Sequence, residues 1–188
     1  MTGRYSAHEA GHLAGVSGDR IGQWARWGHI RASVSAAEPH VYSFDDVAEA
    51  VAVHELLARG IALPAIRRVV DRLGGAAAHP LANSGLHVVD GRVAAERDGI
   101  LVDVLAGARQ GVLELDGRVD PLAVLRDGGW PARALGLRAI EVDPERLDGR
   151  PVIRGRRIAV QDAAALDDPA AHGLGAEAVA EAAAWLRG

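Results

Sequence analysis

The sequence predicts a mainly α-helical protein with short β hairpins. Three observations lead to this fold class: apolar runs of helical period between capping residues and glycines, Asp-Gly pairs after short, largely apolar runs, and a late alanine-rich segment. They divide the 188 residues into three parts. Residues 1–75 are predicted to be helices with one extended hairpin, and 141–188 a β-turn-helix unit. Residues 76–140 are predicted to be a small mixed α/β region that serves as a linker or in dimerisation.

The first two helices are marked by their caps. Ser6 and Glu9 form a capping box at the start of a short helix. Gly15-Val16-Ser17 then breaks that helix, because Gly15 can adopt a positive φ and Ser17 can cap a new helix. The second helix is predicted over about residues 18–27, and Gly28 ends it.

An extended polar segment and two further helices follow. Residues 30–42 are predicted to be extended, with a turn at Glu38-Pro39-His40. Ser43 caps a third helix, Pro64 suits the first turn of a fourth, and Gly74-Gly75 closes the unit. This is the element order of a winged helix-turn-helix, whose second helix can enter the major groove of DNA while the wing contacts the backbone.

The second helix and the wing supply the candidate DNA-binding residues. Arginine can read guanine, Gln23 can read adenine, and wing residues can contact phosphate. For Trp24 and Trp27, packing against the first helix is the favoured alternative to stacking on DNA. The predicted DNA-binding residues are Ser17, Arg20, Gln23, Trp24, Arg26, Arg31, His40 and Tyr42. Because residues 1–75 hold eight arginines and eight acidic residues, we expect useful affinity to require a homodimer on a repeated operator site.

A further pattern runs through residues 5–73. Its members are Tyr5-Ser6, Glu9-Ala10, Leu13, Gly15-Val16-Ser17, Ile21, Trp24, Gly28-His29-Ile30-Arg31, Tyr42-Ser43-Phe44-Asp45-Asp46-Val47 and Gly60-Ile61-Ala62-Leu63-Pro64-Ala65-Ile66. This set resembles the DNA-binding domain of the MerR superfamily, which implies operator DNA as a partner. The chain departs from the family at Gly22 and Gln23, where an arginine usually holds phosphate. It departs again at Gly74-Gly75, which stops the helix that usually continues as a dimerising coiled coil.

The middle region is predicted to hold short strands. Leu86-His87-Val88-Val89 leads into Asp90-Gly91, a strong hairpin signal. Val112-Leu113-Glu114-Leu115 leads into Asp116-Gly117 and repeats it. Residues 99–105 fit either a strand or a short buried helix, because their periodicity does not decide between the two.

The last part combines a β-like stretch with a helix. Residues 149–160 are predicted to be extended around a glycine elbow, and residues 176–186 to be helical, with Val179, Ala183 and Leu186 along one side. Residues 146–157 carry five arginines against one acidic residue, Asp148. For Arg157, an ion pair with Asp162 or Asp143 that fixes the elbow stays open as an alternative to partner binding.

The extended stretch at residues 149–160 begins with a recognisable motif. Its sequence is Gly149-Arg150-Pro151-Val152-Ile153-Arg154-Gly155-Arg156-Arg157-Ile158. This motif resembles a small bacterial domain of unknown function whose members are commonly encoded beside PIN-type ribonuclease toxins and are regarded as VapB-type antitoxins. The resemblance implies a PIN-type ribonuclease toxin as partner. Guanidinium groups would occupy or screen the carboxylate cluster of such a nuclease. The implied toxin-binding residues are Arg150, Arg154, Arg156 and Arg157, of which Arg156 stands where the family usually has threonine.

Composition narrows the function classes. All 21 basic residues are arginines, and with 37 alanines and 23 glycines this is typical of a G+C-rich genome rather than of nucleic-acid binding. A net charge of −4 excludes a protein that coats nucleic acid by bulk charge, and the absence of cysteine excludes disulfides and thiolate sites. No apolar run spans a bilayer and no charged-then-apolar leader is found, so we expect a cytoplasmic protein without a membrane partner.

The sequence shows no catalytic constellation, metal-ligand spacing or phosphate-cradling loop, so we expect neither enzyme activity nor a cofactor. The favoured hypothesis is an antitoxin of a type II toxin–antitoxin pair. It would neutralise a PIN-type ribonuclease toxin and repress its own operon by binding operator DNA. One alternative is a stand-alone MerR-like transcription regulator with a ligand-sensing middle region. Another is a structural adaptor whose helix-turn-helix has become a protein-interaction surface.

Overall fold

A computed structural model describes residues 3–74, 78–106, 111–112, 118–119, 136–143 and 146–187. Helices combine with short antiparallel strands, which confirms the predicted fold class. The helices are α1 Ala7–Ala14, α2 Gly18–Arg26, α3 Phe44–Ala58, α4 Leu63–Leu73, α5 Pro80–Asn83, α6 Val160–Ala164 and α7 Ala176–Arg187. The strands are β1 Leu86–Val89, β2 Arg92–Arg97, β3 Ile100–Asp103, β4 Gly111–Val112, β5 Arg118–Val119, β6 Ile140–Glu141 and β7 Val152–Ile153.

The turn from α1 to α2 has the predicted caps. The Ser6 hydroxyl accepts the Glu9 amide at 3.2 Å, and the Glu9 carboxylate accepts the Ser6 amide at 2.9 Å. Gly15 follows α1 with φ +70°, a conformation that favours glycine. The Ser17 hydroxyl accepts the Arg20 amide at 3.3 Å and so caps α2. Local chemistry therefore fixes where α2 begins.

The wing lies between α2 and α3. Ser35 and Val41 exchange backbone hydrogen bonds of 3.1 Å on either side of the bend at residues 37–39. At the base of the wing, Tyr42 and Tyr5 exchange backbone hydrogen bonds of 2.9 Å. The wing is thus tied to the segment that precedes α1.

Helix α3 is the central helix of the N-terminal part. Its residues 47–53 are all buried, as expected for a helix with neighbours on every side. Helix α4 has Pro64 in its first turn and buries Ile66 and Val69. It ends at Leu73 with Gly74 as its C-cap, as the sequence predicts.

The middle region forms a five-stranded antiparallel sheet in the order β4-β3-β2-β1-β5. Asp90 and Gly91 have φ values of +49° and +71°, which confirms the predicted two-residue hairpin turn between β1 and β2. Asp98 and Gly99, with φ +52° and +76°, make a second hairpin that joins β2 to β3. The open question about residues 99–105 is therefore decided in favour of a strand.

The predicted turn at Asp116-Gly117 lies outside the described residues. The strands on its two sides are described, and they lie at opposite edges of the sheet: β4 pairs with β3, and β5 pairs with β1. Contrary to expectation, they do not form a hairpin with each other. An Asp-Gly pair signals a tight turn, and it does not specify which edge of a sheet the next strand joins.

The C-terminal unit combines β6, β7, α6 and α7. Strands β6 and β7 pair antiparallel, and Gly155 makes the predicted elbow with φ +69°. The buried residues of α7 are Ala182 and Trp185, whereas Leu186 is 44% exposed. Of the predicted apolar side, Val179 packs half-buried against the core and Ala183 is half-buried, so only Leu186 departs from it. The large indole ring of Trp185 determines which face is buried most deeply.

This unit docks against the N-terminal part of the chain. The Tyr5 hydroxyl donates a hydrogen bond to the Gly149 carbonyl. The Gln161 amide donates to the Glu9 carboxylate at 3.4 Å, and the Trp185 ring lies edge-on to His12 with centroids 5.1 Å apart. Buried residues of all three parts belong to one hydrophobic cluster.

Candidate nucleic-acid interface and C-terminal arginines

The exposed face of α2 carries four of the predicted DNA-binding residues. Arg20, Gln23 and Arg26 are exposed, and so is the capping residue Ser17. On the opposite face Ile21 is fully buried and packs into the core. A helix of this kind fits the major groove, which is about 12 Å wide. The geometry of α2 therefore suits base recognition.

This face borders an open groove of about 640 Å³. The walls of the groove are the first turn of α1, one face of α2 along its whole length, and the wing tip. Gln23 and Arg26 lie on the helix side, and His40 lies on the wing side. Helix and wing side chains therefore face one common opening.

The remaining wing positions contribute less positive charge than the sequence suggests. Arg31 is exposed at the start of the wing. The His40 side chain is only 21% exposed, and its Nε2 lies 4.0 Å from the Glu38 carboxylate. Because Glu38 faces the same groove, it offsets the charge of a protonated His40 at the wing tip.

Two of the predicted DNA contacts are corrected by the structure. Trp24 is 1% exposed and Tyr42 is fully buried, so neither side chain can reach a base or a phosphate. Burial also raises the pKa of the Tyr42 hydroxyl. The expectation that Trp27 packs against the first helix is wrong, since it is the C-cap residue of α2 and is 56% exposed.

Helix α4 holds the end of α2 in place. The Arg67 guanidinium donates to the carbonyls of Trp27, at 3.1 Å, and of Gly28. His29 Nε2 donates to the Leu63 carbonyl at 3.2 Å, and burial lowers the pKa of this imidazole. These contacts fix the orientation of α2 relative to α4.

A buried carboxylate, Asp46, holds the base of the wing. It accepts the Ser33 amide at 2.8 Å, the Ser33 hydroxyl at 2.6 Å and the Ser43 amide at 2.7 Å. His79, which precedes α5, lies 3.0 Å from its second oxygen. Asp46 thereby joins the wing, the start of α3 and the middle region in one hydrogen-bond network.

A second buried carboxylate lies one turn further along α3. Glu49 is 1% exposed and accepts the Leu81 amide at 2.8 Å. Burial raises the pKa of this carboxyl to about 7, although hydrogen bonds from Leu81 and Ala82 and the nearby His79 act in the opposite direction. The contact between α3 and α5 is therefore sensitive to pH.

The C-terminal arginines divide into two kinds. Arg154 donates to the Arg138 carbonyl at 2.7 Å and to the Ile140 carbonyl at 3.2 Å, and Arg156 donates to the Gly173 carbonyl at 3.1 Å. These two predicted toxin-binding residues thus also stabilise the fold of the unit.

Arg150 and Arg157 are of the second kind, because both are exposed and neither makes an ion pair with a described residue. The pairing of Arg157 with Asp162 or Asp143, left open above, is therefore absent among the described residues. Both guanidinium groups can still contact a partner.

The described ranges contain no group of three or more His, Asp or Glu side chains placed to hold a metal ion. Within the same ranges, no helix is long and apolar enough to cross a membrane.

The order and packing of α1, α2 and the wing are those of a helix-turn-helix domain with an exposed polar face on α2. Residues 5–73 match the family described as MerR HTH family regulatory protein, so this part of the chain is a MerR-family helix-turn-helix domain. The chain therefore carries a DNA-binding regulatory domain, which confirms the first resemblance.

The other comparisons concern the rest of the chain. Residues 140–182 match the family described as Protein of unknown function (DUF433). The crystal structure of Rv2018 from Mycobacterium tuberculosis is similar over 94% of this chain and 90% of that chain, with a TM-score of 0.50 and 21% identity. At this identity the likeness concerns the fold alone. No curated protein matches the chain.

Several residues that hold the interface were not found by sequence reasoning. Asp46 and Glu49 are spaced one helical turn apart within α3, and a buried carboxylate pair has no sequence signature beyond that spacing. Arg67 acts on backbone carbonyls, which every residue has. Only the capping-box position of Asp46, three residues after Ser43, gave a local signal.

Proposed function

We propose that the chain is the antitoxin of a type II toxin–antitoxin pair, neutralising a PIN-type ribonuclease and repressing its own operon. One observation carries this proposal: a helix-turn-helix face and a separate arginine-bearing unit are both exposed on one chain. The first suits operator DNA and the second suits an acidic protein surface. On this proposal the chain acts by binding rather than by catalysis.

Operator recognition is assigned to α2 and the wing. Arg20 and Gln23 read base edges in the major groove, and Arg26, Arg31 and His40 contact the backbone. Since the charges of residues 1–75 balance, one copy gains little from electrostatic attraction. Repression therefore uses a homodimer on two half-sites.

Toxin neutralisation is assigned to the C-terminal unit. Arg150 and Arg157 extend into solvent, where their planar guanidinium groups can engage the carboxylates that hold metal ions in a PIN-type nuclease. Such a contact would occupy the groups that the nuclease needs for catalysis. The exposed Arg187, at the end of α7, gives a matched comparison position.

The test is co-expression of the chain with the product of the adjacent gene. We expect the two proteins to co-purify and the nuclease to be inactive in the complex. Arg150→Ala with Arg157→Ala should release active nuclease, whereas Arg187→Ala should not. Failure of the unmodified pair to associate at micromolar concentration would contradict the antitoxin proposal.

A second function is favoured by a cavity between α4 and the sheet. It measures about 400 Å³ and is lined by Ile61, Ala65, Arg68, Arg92 and Val93, among others. This volume lies within the usual range for small-molecule sites, about 300–1,000 Å³. A stand-alone regulator with a ligand-sensing middle region predicts that small anions change operator affinity, and that the adjacent gene product does not bind.

A further inference from the structure

A concave pocket of about 430 Å³ lies in the C-terminal unit, between the β6–β7 pair and the start of α7. Its lining includes three arginines, Arg138, Arg154 and Arg156, and one carboxylate, Glu177. We call it the arginine pocket. The lining residues carry a net charge of +2, and Glu141, just outside the lining, lies 3.9 Å from Arg154 Nη1. Residues 136–187 as a whole hold nine acidic residues and seven arginines.

Two of the three guanidinium groups are held in position by the fold. Arg154 donates to the Arg138 and Ile140 carbonyls at 2.7 and 3.2 Å, and Arg156 donates to the Gly173 carbonyl at 3.1 Å. A guanidinium has five N–H donors, so Arg156 retains donors for a ligand after this bond. Because these side chains are already ordered, binding loses less conformational entropy.

The rest of the lining is partly apolar. Ile153 and Leu174 are buried at its walls, and Ala139 contributes a third apolar side chain. The start of α7 supports the positive potential, since Val179 donates to the Gly175 carbonyl at 3.3 Å and the glycine has no side chain to cap the helix. The occupant best suited to this lining has an anionic group beside an apolar one.

Nucleic acid is a poor match for this pocket. A phosphodiester backbone binds to extended positive surfaces and gains affinity from many phosphate contacts. Here three of the seven arginines in residues 136–187 line one cavity, the exposed Arg150 and Arg157 lie outside it, and the unit as a whole is acidic. The pocket therefore attracts a single anionic group rather than a polymer of phosphates. Charge and shape together favour a carboxylate carried by a protein.

We propose that the arginine pocket binds the carboxylate of an Asp or Glu residue, flanked by an apolar residue, in an acidic segment of a protein partner. This inference rests on the proposed function in one respect, since the nuclease is the expected source of that segment. The inference adds Arg138 to the partner-binding residues. It also assigns Arg156 a direct contact with the carboxylate of the partner.

The test uses the full chain and a short fluorescein-labelled peptide with Leu-Glu-Glu-Leu at its centre. Fluorescence anisotropy at low salt should show saturable binding, and the matched Leu-Gln-Gln-Leu peptide should bind at least about tenfold more weakly. Arg138→Gln with Arg156→Gln should weaken binding of the acidic peptide by about tenfold or more. The control variant, Arg97→Gln with Arg187→Gln, removes the same charge at two exposed positions outside the pocket. It should change the affinity for the acidic peptide by less than about twofold.

Three outcomes would overturn the inference: equal binding of both peptides, equal loss in both double variants, or stronger competition by inorganic phosphate or a short oligonucleotide than by unlabelled acidic peptide. Circular dichroism melts of both variants show whether the fold is retained, and Arg138→Gln alone serves if the double variant unfolds. Co-purification of the nuclease is a separate measurement. If the nuclease co-purifies equally well with the Arg138→Gln, Arg156→Gln variant, the antitoxin proposal stands. Only the role of the arginine pocket in binding the nuclease is then contradicted.

Discussion

Helix α2 with the wing and the C-terminal unit use their arginines differently. In α2 and the wing, Arg20 and Arg31 are exposed towards solvent. In the C-terminal unit, Arg146 pairs with Glu141 and Arg154 donates to two backbone carbonyls, whereas Arg150 and Arg157 are exposed without an ion pair to a described residue. The sequence suggests the opposite, because its arginines are densest near the C-terminus and are balanced by acids in the DNA-binding domain. The density of charge in a segment therefore does not give the number of charges available to a partner.

The largest expected effect concerns the contact that joins the two regions. Trp185→Ala removes a ring that is 2% exposed and touches His12, so it should lower the free energy of unfolding by about 3–5 kcal/mol. Trp27→Ala, the matched change at a 56% exposed position, should alter it by less than about 0.5 kcal/mol.

Urea unfolding followed by circular dichroism measures both changes. Because the C-terminal unit docks on α1, the loss should appear in a single transition. Two separate transitions in Trp185→Ala, with the first domain unaffected, would show that the regions fold independently.

The second prediction gives the N-terminal domain a pH response. Burial raises the pKa of Glu49 from its usual 4.5 to about 7, so between these values the folded chain keeps a proton that the unfolded chain loses. The free energy of unfolding should therefore fall as pH rises from about 4.5 to 7, by on the order of 3 kcal/mol, and then level off. Glu49→Gln should remove this fall. Urea titrations of both proteins from pH 4.5 to 8 give the difference, and parallel curves would contradict the assignment.

The third prediction tests the two kinds of arginine directly. Arg20→Ala should lower affinity for DNA from upstream of the chain's own gene by about 1–3 kcal/mol, with the melting temperature unchanged. Arg154→Ala should leave that affinity unchanged and lower stability by about 1 kcal/mol, a value reduced because its side chain is 42% exposed. Anisotropy titrations over a range of salt, with melts of each variant, separate the two effects. If Arg154→Ala weakens DNA binding as much as Arg20→Ala does, the division between regions fails.

The smallest expected effect compares two buried tyrosines. Tyr5 and Tyr42 are both fully buried, but the Tyr5 hydroxyl donates to Gly149 whereas the Tyr42 hydroxyl has no hydrogen-bond partner among the residues that the structure describes. Tyr5→Phe should cost about 1 kcal/mol by leaving the Gly149 carbonyl without its donor. Tyr42→Phe should be neutral or slightly stabilising. Thermal melts of the two variants measure the change in stability. Equal changes in both would mean that the Tyr5–Gly149 hydrogen bond contributes nothing to docking of the C-terminal unit.

Much of the fold could be predicted because its signals are local. The capping boxes at Ser6 and Ser43, the positive φ at Gly15 and the hairpin at Asp90-Gly91 each depend on residues within one turn. Strand placement at the sheet edges depends on partners distant in sequence. The most deeply buried face of α7 also could not be predicted, because an alanine-rich helix has little amphipathic contrast and Trp185 is placed by a distant contact.

The candidate interface divides in the same way. The polar face of α2 follows from helical spacing, which places Arg20, Gln23 and Arg26 away from Ile21. Trp24 lies three residues after Ile21 and shares its buried face for the same reason. The roles of Arg67 and Arg154 could not be predicted, because a backbone carbonyl acceptor leaves no trace in the sequence.

The docking of the C-terminal unit has a consequence for the order of events during synthesis. Glu9 and Gln161 are hydrogen-bonded although 152 residues separate them. A ribosome adding about 5–20 residues per second needs roughly 8–30 s to pass from the first to the second. During that interval the surface of α1 around Glu9 stays uncovered, so the nascent helix-turn-helix depends on its own caps and core until Gln161 has been added.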